Sequence, residues 1–133
     1  MSSRAGIHAA SLGSSDRLRR VVRLLCDGQP HSTLEITQAC SVCAVNSIVS
    51  ELRARTSLRI SCRRVGDHFE YQLQMAARER AVLRVLLDGA EHSPGDLHGS
   101  AKPGVALDQL RHVHGVRVER HKRGARTFYR LGV

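Results

Sequence analysis

The segment CDGQPHST at Cys26–Thr33 returns as LDGAEHSP at Leu87–Pro94, with Asp-Gly and His-Ser in register. The match extends in both directions. At an offset of 61, Val21-Val22 meets Val82-Leu83, Leu24-Leu25 meets Val85-Leu86 and Ile36 meets Leu97. Farther on the offset becomes 58: Leu52-Arg53 meets Leu110-Arg111, Leu58-Arg59-Ile60 meets Val116-Arg117-Val118, Gly66 meets Gly124, and Tyr71-x-Leu73 meets Tyr129-x-Leu131. One three-residue deletion in the second half reconciles all the blocks, and several blocks in one order with one gap mark an internal duplication.

A duplication within 133 residues leaves about sixty per copy, and units of that size bury only a modest core. Aromatic residues make up 3% of the chain and Trp is absent, so the apolar positions are mostly Leu, Val, Ile and Ala. That supply suits small helical modules with small sheets better than a β-sandwich. The expected organisation is a flexible N-terminal arm at 1–14, a first copy at 15–74 and a second at 75–133.

Within the first copy, DRLRRVVRLLCDG places Leu18, Val21, Val22 and Leu25 at helical spacing, with Ser15 or Asp16 to cap the start and Gly28 beyond the end. Ser32-Thr-Leu-Glu35 has the form of a capping box, so His-Ser marks the start of a second helix. Val45, Ile48, Val49 and Leu52 form the apolar stripe of a third helix running to about Arg55. Arg59–Arg64 and His68–Leu73 alternate like half-buried strands around Val65-Gly66-Asp67 and predict a hairpin. The second copy predicts helices at Ala77–Leu87, Pro94–Ser100 and Val105–Val113, then strands at Val116–Arg120 and Arg126–Leu131 joined through Lys122–Ala125. The fold class expected is therefore α+β, as two tandem repeats of three helices plus a β-hairpin.

Lys and Arg number 21 against 12 acids, for a net charge of +9, and only Lys102 and Lys122 are lysines. Guanidinium-rich surfaces grip phosphate through paired donors; the plainer reading of such charge is a solvated basic face. The charge is shared: residues 1–74 carry 10 basic and 6 acidic side chains, and residues 75–133 carry 11 and 6. A leader with a basic start, apolar run and cleavage site is not apparent, nor is any window of about eighteen apolar residues, which predicts a cytoplasmic protein without a membrane partner. The cysteines, Cys26, Cys40, Cys43 and Cys62, all fall in the first copy, so no disulfide framework is shared by both.

The pattern of His31-Ser32, Glu35-Ile36 and Ser50-Glu51-Leu52-Arg53 resembles the winged helix-turn-helix family, in particular small phage and prophage modules. The resemblance covers Ser15–Leu73 well and Ala76–Leu131 more faintly. It implies that the third helix enters the DNA major groove, that the hairpin is a wing along the backbone or minor groove, and that the chain is phage-encoded or works in the bacterial cytoplasm or nucleoid. Winged helices also bind RNA and proteins, so the motif is of moderate specificity.

Small or polar side chains on the outward face of the third helix let it approach base edges, and Cys43, Asn46, Ser47, Ser50 and Arg53 are the candidates there. Asn46 can pair with adenine through two hydrogen bonds. Arg63 and Arg64 on the first hairpin, and Arg111, Arg120, Lys122, Arg123 and Arg126 in the second copy, are candidates for phosphate neutralisation. The second copy departs from the pattern, because Lys102-Pro103-Gly104 shortens the turn while Val105 and Asp108 stand where the first copy has Ser47 and Ser50. Sequence readout is therefore expected mainly from the first copy, with the second supplying a wing, a weak half-site or a surface for self-association or a protein partner.

Cys40-x-x-Cys43 with Cys26 and Cys62 supplies only one short pair where zinc wants two; Cys26 at a helix end and Cys62 in a strand are read instead as buried small side chains. No phosphate loop, paired carboxylates or Ser-His-Asp arrangement stands out, so neither an enzyme nor a cofactor is expected. Three functions stay open: a sequence-preferring DNA-binding regulator, an architectural DNA binder in recombination or packaging, and a protein-binding adaptor or inhibitor.

Overall fold

The computed structural model of the chain describes residues 12–97 and 103–132. Most of the expected arm, His98, Lys102 and the end of the helix expected at Pro94–Ser100 lie outside the described residues.

The fold mixes helices with two small antiparallel sheets. Helix α1 (Asp16–Leu25) starts where the Ser15 hydroxyl accepts from the Leu18 amide at 3.2 Å, and it buries Leu18, Val21, Val22 and Leu25. Just past its end stands Gly28 at φ +78, and its counterpart Gly89 after α4 (Ala77–Leu86) has φ +77. Both sit in the left-handed region where a Cβ is penalised, so Gly follows Asp in each copy of the repeated phrase.

The rest of the phrase is explained by what His and Asp bond. Asp27 accepts from the Gln29 amide at 2.8 Å and lies 2.8 Å from His31 Nε2, while Asp88 repeats both contacts with Ala90 and His92. His31–Ser32 forms a two-residue strand, β1, too short for sequence alternation to reveal. Ser32 then caps α2 (Thr33–Cys40) in a reciprocal box: its hydroxyl accepts from the Glu35 amide at 3.1 Å, and its own amide donates to Glu35 at 2.8 Å.

Helix α3 (Val45–Arg55) has the expected bounds and buries Val45, Ile48, Val49 and Leu52. Strands β2 (Ile60–Val65) and β3 (His68–Leu73) pair antiparallel around a Gly66-Asp67 turn, and β1 adds to the other side of β3.

In the second copy the helix expected at Pro94–Ser100 is described only as one 3-10 turn, Pro94–Asp96, still capped reciprocally by Ser93 and Asp96. Gly95 has low helix propensity, while Pro94 at the first position suits the start of the turn. Helix α5 spans Pro103–His112, starting two residues before expectation with proline at its first position. The hairpin strands are β4 (Val118–Arg123) and β5 (Arg126–Leu131). The first of them was expected at Val116–Arg120; the ladder instead runs to the tip through Lys122 and Arg123, because strand pairing uses backbone groups and tolerates charged side chains. His92 and Tyr129 exchange two backbone hydrogen bonds of 2.8 Å, reproducing the His31–Tyr71 pairing.

The two copies share one continuous apolar core, to which Leu18, Leu25 and Leu52 contribute from the first and Leu83, Leu107 and Leu110 from the second. They touch through equivalent loops. The Ser57 amide donates to the His114 carbonyl at 2.9 Å, and a Cβ on Gly115 would sit 2.8 Å from the Ser57 nitrogen. Ser57 and Gly115 are counterparts at the 58 offset, which is how two-fold-related subunits meet. Close by, Glu79 and His114 form a buried pair at 2.8 Å, with no symmetry mate, since their counterparts are Leu18 and Thr56.

Leu12–Ser14, expected as the end of a flexible arm, form a 3-10 turn with Leu12 buried. A side chain on Gly13 would collide with the Gly132 carbonyl, so the first and last described segments are pressed together.

Candidate nucleic-acid interface

The turn between α2 and α3 is built from two non-glycine residues in the left-handed region, Ser41 at φ 53 and Ala44 at φ 56. Between them Val42 is buried and Cys43 is exposed. This geometry costs about 1–2 kcal/mol per residue and is held in place by the anchoring of Val42. It delivers Cys43, Asn46, Ser47 and Ser50 to one exposed surface at the start of α3. Among the described residues none of these four side chains makes a hydrogen bond. Within the described residues their donors and acceptors are unspent.

Arg53, read from the sequence as part of that surface, folds back: its guanidinium donates to the Ile60 carbonyl of β2. Its counterpart Arg111 does the same to Val118 of β4, through Nε at 3.2 Å and Nη2 at 3.1 Å. Both arginines therefore tie a helix to its own hairpin and fix the angle between them.

Side chains alternate across a ladder, so Cys62 and Arg64 share one face of the first hairpin while Ser61 and Arg63 share the other. Arg63 lies 3.6 Å from Glu70 across the strands, and Arg64 Nε donates to the Gly66 carbonyl at 3.1 Å. In the second hairpin Arg120 and Lys122 share the face corresponding to Arg64, and Arg123 and Arg126 take the opposite face at the tip. Arg123 is held by Glu91 at 2.6 Å and stands 5.4 Å over the Phe128 ring. Arg120, Lys122 and Arg126 are exposed and form no hydrogen bond or ion pair among the described residues.

The outward face of α5 is different in kind. Val105 is 42% exposed and the Asp108 carboxylate lies 3.8 Å from Arg111, while Val113, in the turn just after α5, is 44% exposed.

Protonation follows the same geography. Burial pushes the Cys26 thiol up to about 12 against the opposing pull of Arg84 and Arg80, and burial also raises Cys40. Cys43 is exposed, and so is Cys62, against the expectation of a buried side chain, because only Ile60 of its strand turns into the core; all four cysteines are free. Burial would raise the Asp88 carboxyl, but hydrogen bonds from His92 and the Ala90 amide, with the charges of His92 and Arg23, outweigh it and hold the pKa low. Glu35 is lowered chiefly by the Ser32 amide of its capping box. No group of three His, Cys, Asp or Glu among the described residues is placed to hold a metal ion.

Sequence reasoning passed over the arginines of α1 and α4. Arg19 and Arg80, and likewise Arg23 and Arg84, are counterparts at the 61 offset, and Arg80 Nη1 crosses between copies to donate to the Cys26 carbonyl at 3.1 Å. The repeat alignment carried that signal; their convergence needed the tertiary structure.

No family model matches the chain, and no curated protein matches it. No helix among the described residues is long and apolar enough to cross a membrane.

Proposed function

We propose that this chain is a double-stranded DNA-binding protein, a sequence-preferring regulator built as two tandem winged helix-turn-helix repeats. The observation that carries the reading is the start of α3, where Cys43, Asn46, Ser47 and Ser50 form an exposed surface whose hydrogen-bonding capacity is unspent. A helix fits the major groove, and short polar side chains near its start are the ones that reach base edges. Arg64 of the first hairpin and Arg120, Lys122 and Arg126 of the second supply cations for the flanking phosphates. Arg53 and Arg111 act as positioning residues, since each sets the angle between a helix and its wing. Two copies in one chain do what a dimer does elsewhere, spanning two neighbouring groove segments.

Val105 and Asp108 of α5, with Val113 in the turn that follows, favour a second role for the second copy, as the surface for a protein partner. An acid at the helix face repels phosphate, whereas an apolar pair suits a polypeptide.

Selection of bound fragments from a random duplex pool at two salt concentrations tests the reading. Enrichment of one short motif at both concentrations is the expected result. Bending of every duplex without a motif would move the chain to the architectural class, and binding that ignores salt would remove DNA as the ligand.

A further inference from the structure

Three hollows adjoin one another between α1 and α4. The largest, of about 870 Å³, has Ala77, Ala81 and Val85 along its floor and Arg23, Arg80 and Arg84 around it. A second, of about 310 Å³, shares Arg23 and Arg84 and adds Leu24 and Ala39, and a third, of about 170 Å³, opens beside Arg20 and Arg23. The largest hollow falls in the size range of small-molecule sites.

The charges around this cleft are not equally committed. Arg80 donates to the Met75 and Cys26 carbonyls, both at 3.1 Å, and Arg20 to the Cys40 carbonyl at 2.7 Å with Asp16 at 3.0 Å. Asp27 and Asp88 also line it, but each is already bonded to a turn amide and a histidine. Arg23 and Arg84 remain. Both are exposed, and neither forms a hydrogen bond or ion pair among the described residues. They are counterparts in the duplication, one from each copy, and both line the two larger hollows. The Asp27 and Asp88 carboxylates offset part of the mutual repulsion of the two guanidiniums, and a further anion held between Arg23 and Arg84 offsets the rest. A carboxylate has two oxygens on one edge to meet a guanidinium fork, whereas a phosphomonoester presents three terminal oxygens spread about phosphorus and meets two forks from different sides.

We propose that this cleft binds a small phosphomonoester with a flat apolar body, its phosphate gripped between Arg23 and Arg84 and its body lying on Ala77, Ala81 and Val85. The site shares no side chain with α3, α5 or either hairpin, so it stands independently of the DNA reading. A ligand there touches one helix from each copy and stabilises their association by linkage.

Calorimetric titration of the full chain with phenyl phosphate, adenosine monophosphate, inorganic phosphate and adenosine tests it. The expected result is one saturable site for at least one of the two phosphomonoesters, weaker competition by inorganic phosphate, and no binding of adenosine. Arg23→Gln and Arg84→Gln each weaken that binding about tenfold, the loss of one charge-assisted fork, while Lys122→Gln leaves it unchanged. Because Arg23 and Arg84 are exposed and unbonded, both variants melt with the wild type in the absence of ligand, which separates lost binding from lost fold. Absence of saturable binding by both phosphomonoesters, or binding that survives the double variant, would overturn the proposal. So would equal loss in Lys122→Gln, which would place the phosphate on the basic hairpin.

Discussion

Helices α3 and α5 occupy equivalent places in the two copies, are anchored by the same arginine-to-strand hydrogen bond, and bury the same kind of stripe. Their outward faces have nevertheless diverged. The first offers Asn46, Ser47 and Ser50; the second offers Gly104, Val105 and Asp108 at the corresponding positions. The inward face must fill a shared core, so duplication preserves it, while the outward face answers only to what it touches. The difference teaches that the copies are one structural unit with two surfaces, and each experiment below breaks or sharpens that contrast.

The largest effect is expected where the copies are alike. Leu52 and Leu110 are counterparts, both fully buried, and Leu52→Ala or Leu110→Ala should each cost about 2–5 kcal/mol in chemical denaturation. Because the core is continuous, both variants should unfold in one transition. Two separated transitions, each moved by only one of the substitutions, would divide the core that the contrast assumes.

Next come the faces. Asn46→Ala and Ser50→Ala should each lose about 1–3 kcal/mol of discrimination between preferred and scrambled duplexes while general affinity survives. Val105→Ala should leave discrimination unchanged, and Asp108→Ala should tighten binding to all duplexes by removing a repelled charge. Equal losses in the two helices, measured by fluorescence anisotropy, would make them equal readers.

The hairpins are expected to differ in salt dependence. Arg64→Gln, Lys122→Gln and Arg126→Gln should each flatten the slope of log affinity against log salt by about one unit. Arg123→Gln should change it less, because that guanidinium is already held by Glu91 and Phe128. A larger change at Arg123 than at Lys122 would reverse the assignment.

Smaller still are the caps. Ser32→Ala should destabilise by about 1 kcal/mol, since it opens a reciprocal box on a full helix, whereas Ser93→Ala caps only a single 3-10 turn and should cost about half as much or less. Thermal melts of the two variants compare them directly.

The smallest effect is electrostatic. The lowered pKa of Asp88 contributes stability that is present above the ordinary carboxyl value of about 3.9 and is lost as pH falls through the folded value below it. Asp88→Asn should therefore flatten the acid limb of the urea midpoint against pH. An unchanged limb would assign acid sensitivity to other carboxylates.

What the sequence revealed tracks the range of the force involved. The bounds of α3 were legible because a complete apolar stripe and its flanking turn lie within a dozen residues, and the capping box of α2 because both partners are three residues apart. Strand β1 was hidden since two residues carry no period, and the end of β4 was misplaced because backbone pairing continued into charged residues. On the candidate site, the exposure of Asn46, Ser47 and Ser50 follows from helical spacing alone, whereas that of Cys43 depends on the left-handed turn before α3. The roles of Arg53 and Arg111 did not, because a carbonyl seven residues away becomes their partner only once the strand folds back. The meeting of Arg23 with Arg84 was farther out of reach, as it depends on how one copy packs on the other.

Cys43 offers the most direct test of α3 as the reader. It is a native exposed thiol at the start of that surface, Cys62 is an exposed thiol on the hairpin face that carries Arg64, and Cys26 and Cys40 are buried. Alkylation of the chain, free and saturated with a selected duplex, reads the interface without altering it. Strong protection of Cys43 by the selected duplex and weak protection by a scrambled one is the predicted result. Labelling of Cys43 at the same rate in the free chain and the saturated complex would contradict it.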